Sequence, residues 1–388
     1  MFANRTAWKL TPNRFTQAQA ELRAAGAEIL DLSISNPPRA ELHYDAEAIL
    51  GSLSQAEALD YDPQPLGLLS ARQAVADYYR ADHEGYDLDP ESIILTTSTS
   101  EGYSFVFRLL CNPGDEILVP KPSYPLFEFL ADLQDVSLVP YPLLYDHGWQ
   151  IDLPSLYKAV TSRTRGIVLV HPNNPTGSYT KSAEIADLNH FCEANALALI
   201  VDEVFLDYAH DGVARASFAM NSNALTFTLS GLSKIAGLPQ MKVAWIVTSG
   251  PEVQKNPALD RLEVIADTYL SMNAPLQLAT PALLDQRKNI QPLMLDRARA
   301  NLHDLDRRLS RQKNCARLDL EGGWYAILRV PVTQTDEDLA INLLRKGVLV
   351  HPGHFYDFPN DGYLVLSLIT PTGVFREGVS RVLSLLNP

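Results

Sequence analysis

The chain is poor in cysteine, and its cysteines have no pattern. Three occur in 388 residues, Cys111, Cys192 and Cys315. Odd in number and far apart, they make neither a disulfide framework nor a metal spacing. Each is expected to behave as a small core or half-buried residue. The nine histidines form no H-x-x-x-H pair, so a metal centre has no obvious ligands. Basic charge is short as well: 32 Lys and Arg face 46 Asp and Glu, a net charge of −14. Binding a phosphate backbone needs a basic surface, so nucleic acid is not an expected partner. No run of about 18 apolar residues exists, so no membrane span is expected. The N-terminus, MFANRTAWKLTPNRF, has no apolar signal core or cleavage site, which makes a cytoplasmic location the default expectation. Internal repeats and low-complexity tracts are missing. So are G-x-G-x-x-G and G-K-[ST] strings, which leaves little for a nucleotide fold.

What is present is ordinary globular composition, 46% hydrophobic and 20% charged. The length suits about two domains. A helix is expected over 16–25, and another over LLSARQAVADYYR (68–80), whose apolar face repeats at helical spacing. Seven short apolar runs follow, at 92–97, 116–120, 136–140, 166–170, 197–201, 225–229 and 243–247. Amphipathic stretches lie between several of them, such as 183–195 with Ile185, Leu188 and Cys192 on one face. That alternation predicts an α/β fold with a mostly parallel sheet covered by helices. After about residue 285 the pattern changes. A long polar helix (291–311) precedes short strands near 317–320, 324–330, 347–350 and 363–368, with helices at 335–345 and 375–386. This reads as a smaller α+β domain.

In open α/β sheets, ligands bind beyond the carboxyl ends of the strands. Five polar segments fall there. Ser98-Thr99-Ser100-Glu101 follows the first run. Serine with glutamate three residues on is a capping box, and a helix N-terminus also favours an anion. Tyr124, in Pro122-Ser123-Tyr124-Pro125, follows the second run. His171-Pro172-Asn173-Asn174-Pro175-Thr176-Gly177 follows the fourth, and a mere turn would not need two asparagines between prolines. Asp202 ends the fifth, where a buried carboxylate is costly without a charged partner. Lys234 lies just past the sixth. Alone it would be an ordinary solvated lysine, but all five segments share one edge of the expected sheet.

The strings S-K-x-x-G-L-P (233–239), P-S-Y-P, P-N-N-P-T-G and V-D-E-V-F (201–205) resemble those of class I/II aminotransferases. These are fold-type I enzymes that use pyridoxal 5′-phosphate (PLP), and the resemblance covers most of residues 30–250. It implies a seven-stranded large domain (46–285), a small domain (1–45 and 286–388) and a homodimer with sites at the interface. Lys234 would carry PLP and shuttle the proton at the substrate Cα. Asp202 would pair with the protonated pyridine nitrogen, and Asn174 would donate to the phenolic O3′. The Tyr124 ring would stack on the pyridine. Ser98, Thr99, Ser100, Ser233 and Lys242 would complete the cofactor site, with Tyr61 reaching the phosphate of the neighbouring subunit. Ser35, Asn36 and Asn174 would face the substrate. The expected reaction is amino-group transfer between an amino acid and a 2-oxo acid.

Four positions depart from the family. Phe205 stands where a tyrosine usually bonds O3′, which leaves a more basic phenolate. Gly231, preceded by Ser230, replaces a Ser or Thr phosphate ligand. Lys242 replaces an arginine, a point charge instead of a fork. Val365, in Val365-Leu366-Ser367, stands where an R-x-S strand supplies the arginine that grips the substrate carboxylate. Arg39, in Ser35-Asn36-Pro37-Pro38-Arg39, is the candidate substitute. Tyr103, Tyr269, Trp324, Phe355 and Tyr356 are candidates to line an apolar side-chain pocket, although core packing explains them equally well. These departures keep two alternatives open, a PLP-dependent lyase or cyclase on an unusual amino acid and a non-catalytic PLP-binding protein.

Overall fold

The computed structural model describes residues 1–82, 87–125, 127–270 and 272–386. The N-terminal segment adds one short strand, β1 (Leu30–Asp31). The large sheet then forms from β2 (Ile93–Thr96), β3 (Glu116–Lys121), β4 (Ser137–Tyr145), β5 (Trp149–Ile151), β6 (Thr164–Val170), β7 (Ala198–Asp202), β8 (Thr226–Gly231) and β9 (Ala244–Ser249). Its order is β2-β9-β8-β7-β6-β3-β4-β5. All seven apolar runs of the sequence are strands. The eighth member, β5, is a three-residue addition that pairs antiparallel with β4. His147 and Gly148, at φ 48° and 140°, turn the chain between them.

Every residue of β2, β8 and β9 is buried, as expected where helices cover both faces. Trp245, Ile246 and Val247 are fully buried, and each such side chain stabilises the fold by about 1.5–3 kcal/mol. Strands β4, β3, β6, β7 and β8 run parallel. Strand β9 is antiparallel to both β8 and β2, so β2 points the same way as β8. The carboxyl ends of β2, β3, β6, β7 and β8 therefore meet at one edge.

The C-terminal part holds β10 (Ala316–Arg317), β11 (Tyr325–Arg329), β12 (Val348–Leu349), β13 (His351–Pro352) and β14 (Tyr363–Ser367). Four of these form an antiparallel sheet in the order β10-β11-β14-β13, while β12 pairs in parallel with β1. The N-terminal segment is stitched to this sheet further on. Ser367 N donates to Leu32 O at 2.7 Å, and Ser367 Oγ donates to Ile34 O at 2.5 Å. That leads the chain directly to Ser35.

Candidate active site

Lys234 sits in a single helical turn (Leu232–Ile235) immediately after β8. Tyr208 Oη donates to its carbonyl at 2.6 Å and fixes the turn. Its ammonium donates to Ser35 O at 3.1 Å. The Trp324 and Phe205 rings stand around it, with centroids 5.3 and 5.7 Å from Nζ. Burial in this aromatic setting lowers the Lys234 pKa to about 8, against the opposing pull of the Asp202 charge. Half of the amine is therefore neutral near pH 8, as a nucleophile or proton acceptor requires.

Asp202 closes β7, the strand beside β8. Val204 N donates to its Oδ1 at 3.1 Å and Tyr103 Oη donates to Oδ2 at 3.2 Å. Burial raises its pKa to about 6, while Val204, Tyr103 and the Lys234 charge hold it down. No Arg or Lys forms an ion pair with it among the described residues. A phenol, an amide and a distant ammonium hold this carboxylate, and it remains short of a counter-charge. Sequence reasoning placed Tyr103 among pocket aromatics and missed its role as the Asp202 partner.

The two asparagines after β6 divide their work. Asn173 is fully engaged: Oδ1 accepts from Ser123 Oγ at 3.0 Å, while Nδ2 donates to Pro122 O at 3.0 Å and Thr176 Oγ1 at 2.9 Å. It thereby ties the P-S-Y-P turn to its own. Asn174 is buried, yet its Oδ1 has no hydrogen-bond partner. Tyr124 is 44% exposed as a residue. Its phenol end is enclosed enough for burial, and then the Asp202 charge, to raise its pKa.

Ser98 caps the helix Thr99–Leu110, with Oγ accepting from Glu101 N at 3.2 Å. The expected box is displaced by one residue on its return side, because Glu101 accepts from Thr97 N and Oγ1 and not from Ser98 N. Thr99 and Ser100 are half-buried in the first turn, and Ser233 is half-buried beside Lys234. Gly231 pairs with Ala244, and a Cβ there would stand 2.8 Å from both Ala244 Cβ and Val243 O. A serine or threonine at 231 would therefore push β9 away. Lys242 is exposed and left-handed at φ 52°.

Tyr61 is 84% exposed. It lines a cavity of about 430 Å³ with Gln64, Phe105, Leu270, Asn273 and Gln277, and neither Lys234 nor Asp202 belongs to that cavity. Arg39 ends a short helix (Pro37–Arg39) four residues past Ser35. It is exposed, as is Asn36, and Arg39 N donates to Asn36 O at 2.9 Å. Val365 is 1% exposed, paired with Ile327 on β11 and His351 on β13. The remaining aromatics part company: Phe355 packs on Phe15 and Tyr269 beneath Arg108, while Trp324 lies over Lys234.

A half-neutral lysine and a buried carboxylate at the ends of adjacent parallel strands, in a sheet of this order, define the fold-type I aminotransferase architecture. The chain matches Aminotransferase class I and II over residues 27–373 and belongs to that family. It is 28% identical over 362 residues to an alanine aminotransferase of Mycobacterium tuberculosis, covering 90% of this chain and 83% of that protein. It is 26% identical over 383 residues to an LL-diaminopimelate aminotransferase of Desulforudis audaxviator, covering 95% and 93%. Among solved structures, an alanine aminotransferase from Pyrococcus furiosus superposes with a TM-score of 0.89 at 22% identity, over the whole of both chains. The protein is an aminotransferase.

Members of the family use PLP. The residues here fit that group on their own evidence. Asn174 has a buried amide oxygen without a protein partner, Asp202 lacks a paired Arg or Lys, and the Lys234 pKa is lowered to about 8. No helix among the described residues is long and apolar enough to cross a membrane.

Proposed function

We propose that this aminotransferase holds PLP on Lys234 and moves an amino group between an amino acid and a 2-oxo acid. The observation that carries the reading is the pair Lys234 and Asp202, on neighbouring strand ends with their pKa values drawn to about 8 and about 6. When bound, PLP supplies the electron sink for the bond at the substrate Cα. Asp202, kept anionic by Val204 N and Tyr103, holds the proton on the pyridine nitrogen. Lys234 would serve as the base and acid that moves the proton between the substrate Cα and the cofactor C4′. Tyr208 Oη, on the Lys234 main-chain carbonyl, fixes the turn from which the side chain extends. Asn174 meets O3′, Tyr124 covers the ring, and Ser98, Thr99, Ser100, Ser233 and Lys242 surround the phosphate.

Arg39 brings the cationic end of the substrate site, on the segment that already touches Lys234 through Ser35. Asn36 and Asn174 complete its lining. Residues 46–285 form the cofactor domain, and 1–45 with 286–388 form the small one. The exposed Tyr61 loop and its cavity suit a second copy of the chain in a homodimer, where Tyr61 would reach across to the other phosphate. The location is cytoplasmic.

The test is the visible absorption spectrum of the purified protein, before and after single amino acids are added. A band that Lys234→Ala lacks, converted by some amino acid to the amine form of the cofactor, is the expected result. Phe205 and Val365 favour one competing reading, elimination or cyclisation. Recovery of the aldehyde form after each turnover, with no requirement for a 2-oxo acid, would establish it.

A further inference from the structure

Two buried polar atoms without partners belong to residues of this site. One is Asn174 Oδ1, the acceptor end of the amide whose nitrogen is assigned to O3′. The other is Trp324 Nε1. Trp324 is 0% exposed, so its indole N–H has lost water without gaining an acceptor. Such a group is costly, and it persists where a ligand supplies the missing partner.

The local chain explains how the indole comes to lie there. Gly322 forms a bridge with Ala209, and Gly323 N donates to Tyr208 O at 2.8 Å. A Cβ on Gly322 would stand 2.9 Å from that carbonyl. Gly323, at φ +71°, turns the chain just before β11. Trp324 is thereby laid over Lys234 and packed edge-on against Phe205 and Tyr208, with centroids 4.7 and 5.0 Å apart.

Tyr325 follows directly. Its buried phenol is pushed up to about 12, and the Trp324 indole and the Ser35 side chain, both close to Oη, oppose that shift. The indole N–H is thus near Tyr325 Oη without an acceptor in hydrogen-bond geometry. Tyr325 pairs with Ser367, and Ile327 pairs with Val365. Alternate residues share a sheet face, so Tyr325 stands on the same face as Val365, the position lacking its arginine.

We propose that Trp324 Nε1 and Tyr325 Oη together receive the substrate carboxylate, in place of the guanidinium that Val365 cannot offer. This rests on the reading of Lys234 as the group that meets the substrate amine. The receptor is neutral and has two separate donors, so it is weaker than an arginine fork. Arg39 adds charge only from the exposed rim, where solvent screens it. Phe205 packs on Trp324 and Tyr356 on Tyr325; Lys234 stands over Phe205, and burial lowers the pKa of His351, whose ring nitrogen is 3.0 Å from Tyr356 Oη. The substrate class is therefore an α-amino monocarboxylate with an apolar side chain.

The experiment compares 3-phenylpropanoate with 3-phenylpropanamide on the PLP-loaded full chain, with dissociation constants measured by calorimetry. The wild type should prefer the acid. Trp324→Phe and Tyr325→Phe keep the rings and should each weaken the acid about tenfold, the size of one hydrogen bond to a charged group, while the amide changes less than about twofold. An unchanged acid constant in both variants overturns the proposal. So does an equal loss of acid and amide, which would mean lost packing. So does a shifted visible band in Trp324→Phe with acid binding intact, which would give the N–H to the cofactor. Should Trp324→Phe melt early, Tyr325→Phe carries the same comparison. Conversion of the cofactor by amino acids is read separately: its absence with the acid preference intact would sink the transfer reaction and leave the receptor standing.

Discussion

The two faces that meet at Lys234 are built on different terms. On the large-sheet side, strand ends pin each polar group. Asp202 has a bond on each oxygen, Ser98 caps a helix, and Asn173 locks the turn that presents Asn174. On the small-sheet side, Val365 fills the place of a cation, Arg39 lies exposed, and the buried donors are neutral. On the proposed reading the first face would handle the steps common to every substrate, at strand ends whose geometry the backbone fixes. The second would choose among substrates on the same reading, and it stands on a separate sheet to which the N-terminal segment is tied.

Removal of Lys234 should break the contrast most completely. In Lys234→Ala, turnover should fall on the order of 10⁵-fold or more, and the visible band should vanish. Variants on the small-sheet side should keep that band. Arg39→Ala should raise the Michaelis constant about threefold, the size of a screened contact at the rim, with kcat unchanged. An unchanged constant for the best amino acid would remove Arg39 from the site and leave the neutral donors as its sole anchor.

A pH dependence should follow from Lys234. Burial lowers Lys234 from 10.5 to about 8, so the neutral amine grows as pH rises towards 8 and then saturates. Recapture of PLP by the apo-protein should quicken about fivefold between roughly pH 7 and pH 8 and flatten above pH 9. A stopped-flow rate still climbing steeply at pH 10 would mean an ordinary solvated lysine, contrary to its enclosure by Trp324 and Phe205.

The large sheet is legible in the sequence because its strands are buried on both faces and read as unbroken apolar runs. Strand β5 is not, since only Trp149 of its three residues is buried. The strand-end rule places Asp202 and Lys234, and the string around Val365 shows what is missing. The replacement is hidden from it. Tyr103 meets Asp202 across 99 residues, and G-G-W reads as a turn followed by a core aromatic. An orphaned N–H is a property of three-dimensional neighbours, and no local pattern encodes it. Gly231 reads as the loss of a ligand, whereas its contact with Ala244 shows that β9 leaves no room for one.

Ser35 reaches Lys234 only through a partnership between opposite ends of the chain. Leu30 and Asp31 pair with Val348 and Leu349, and Leu32 and Ile34 accept from Ser367. A nascent polypeptide that stops short of residue 348 has nothing to hold this segment in place. The setting of the lysine therefore depends on residues more than a hundred positions beyond it, and a cut between residues 248 and 348 would leave the large sheet's lysine without the carbonyl it donates to.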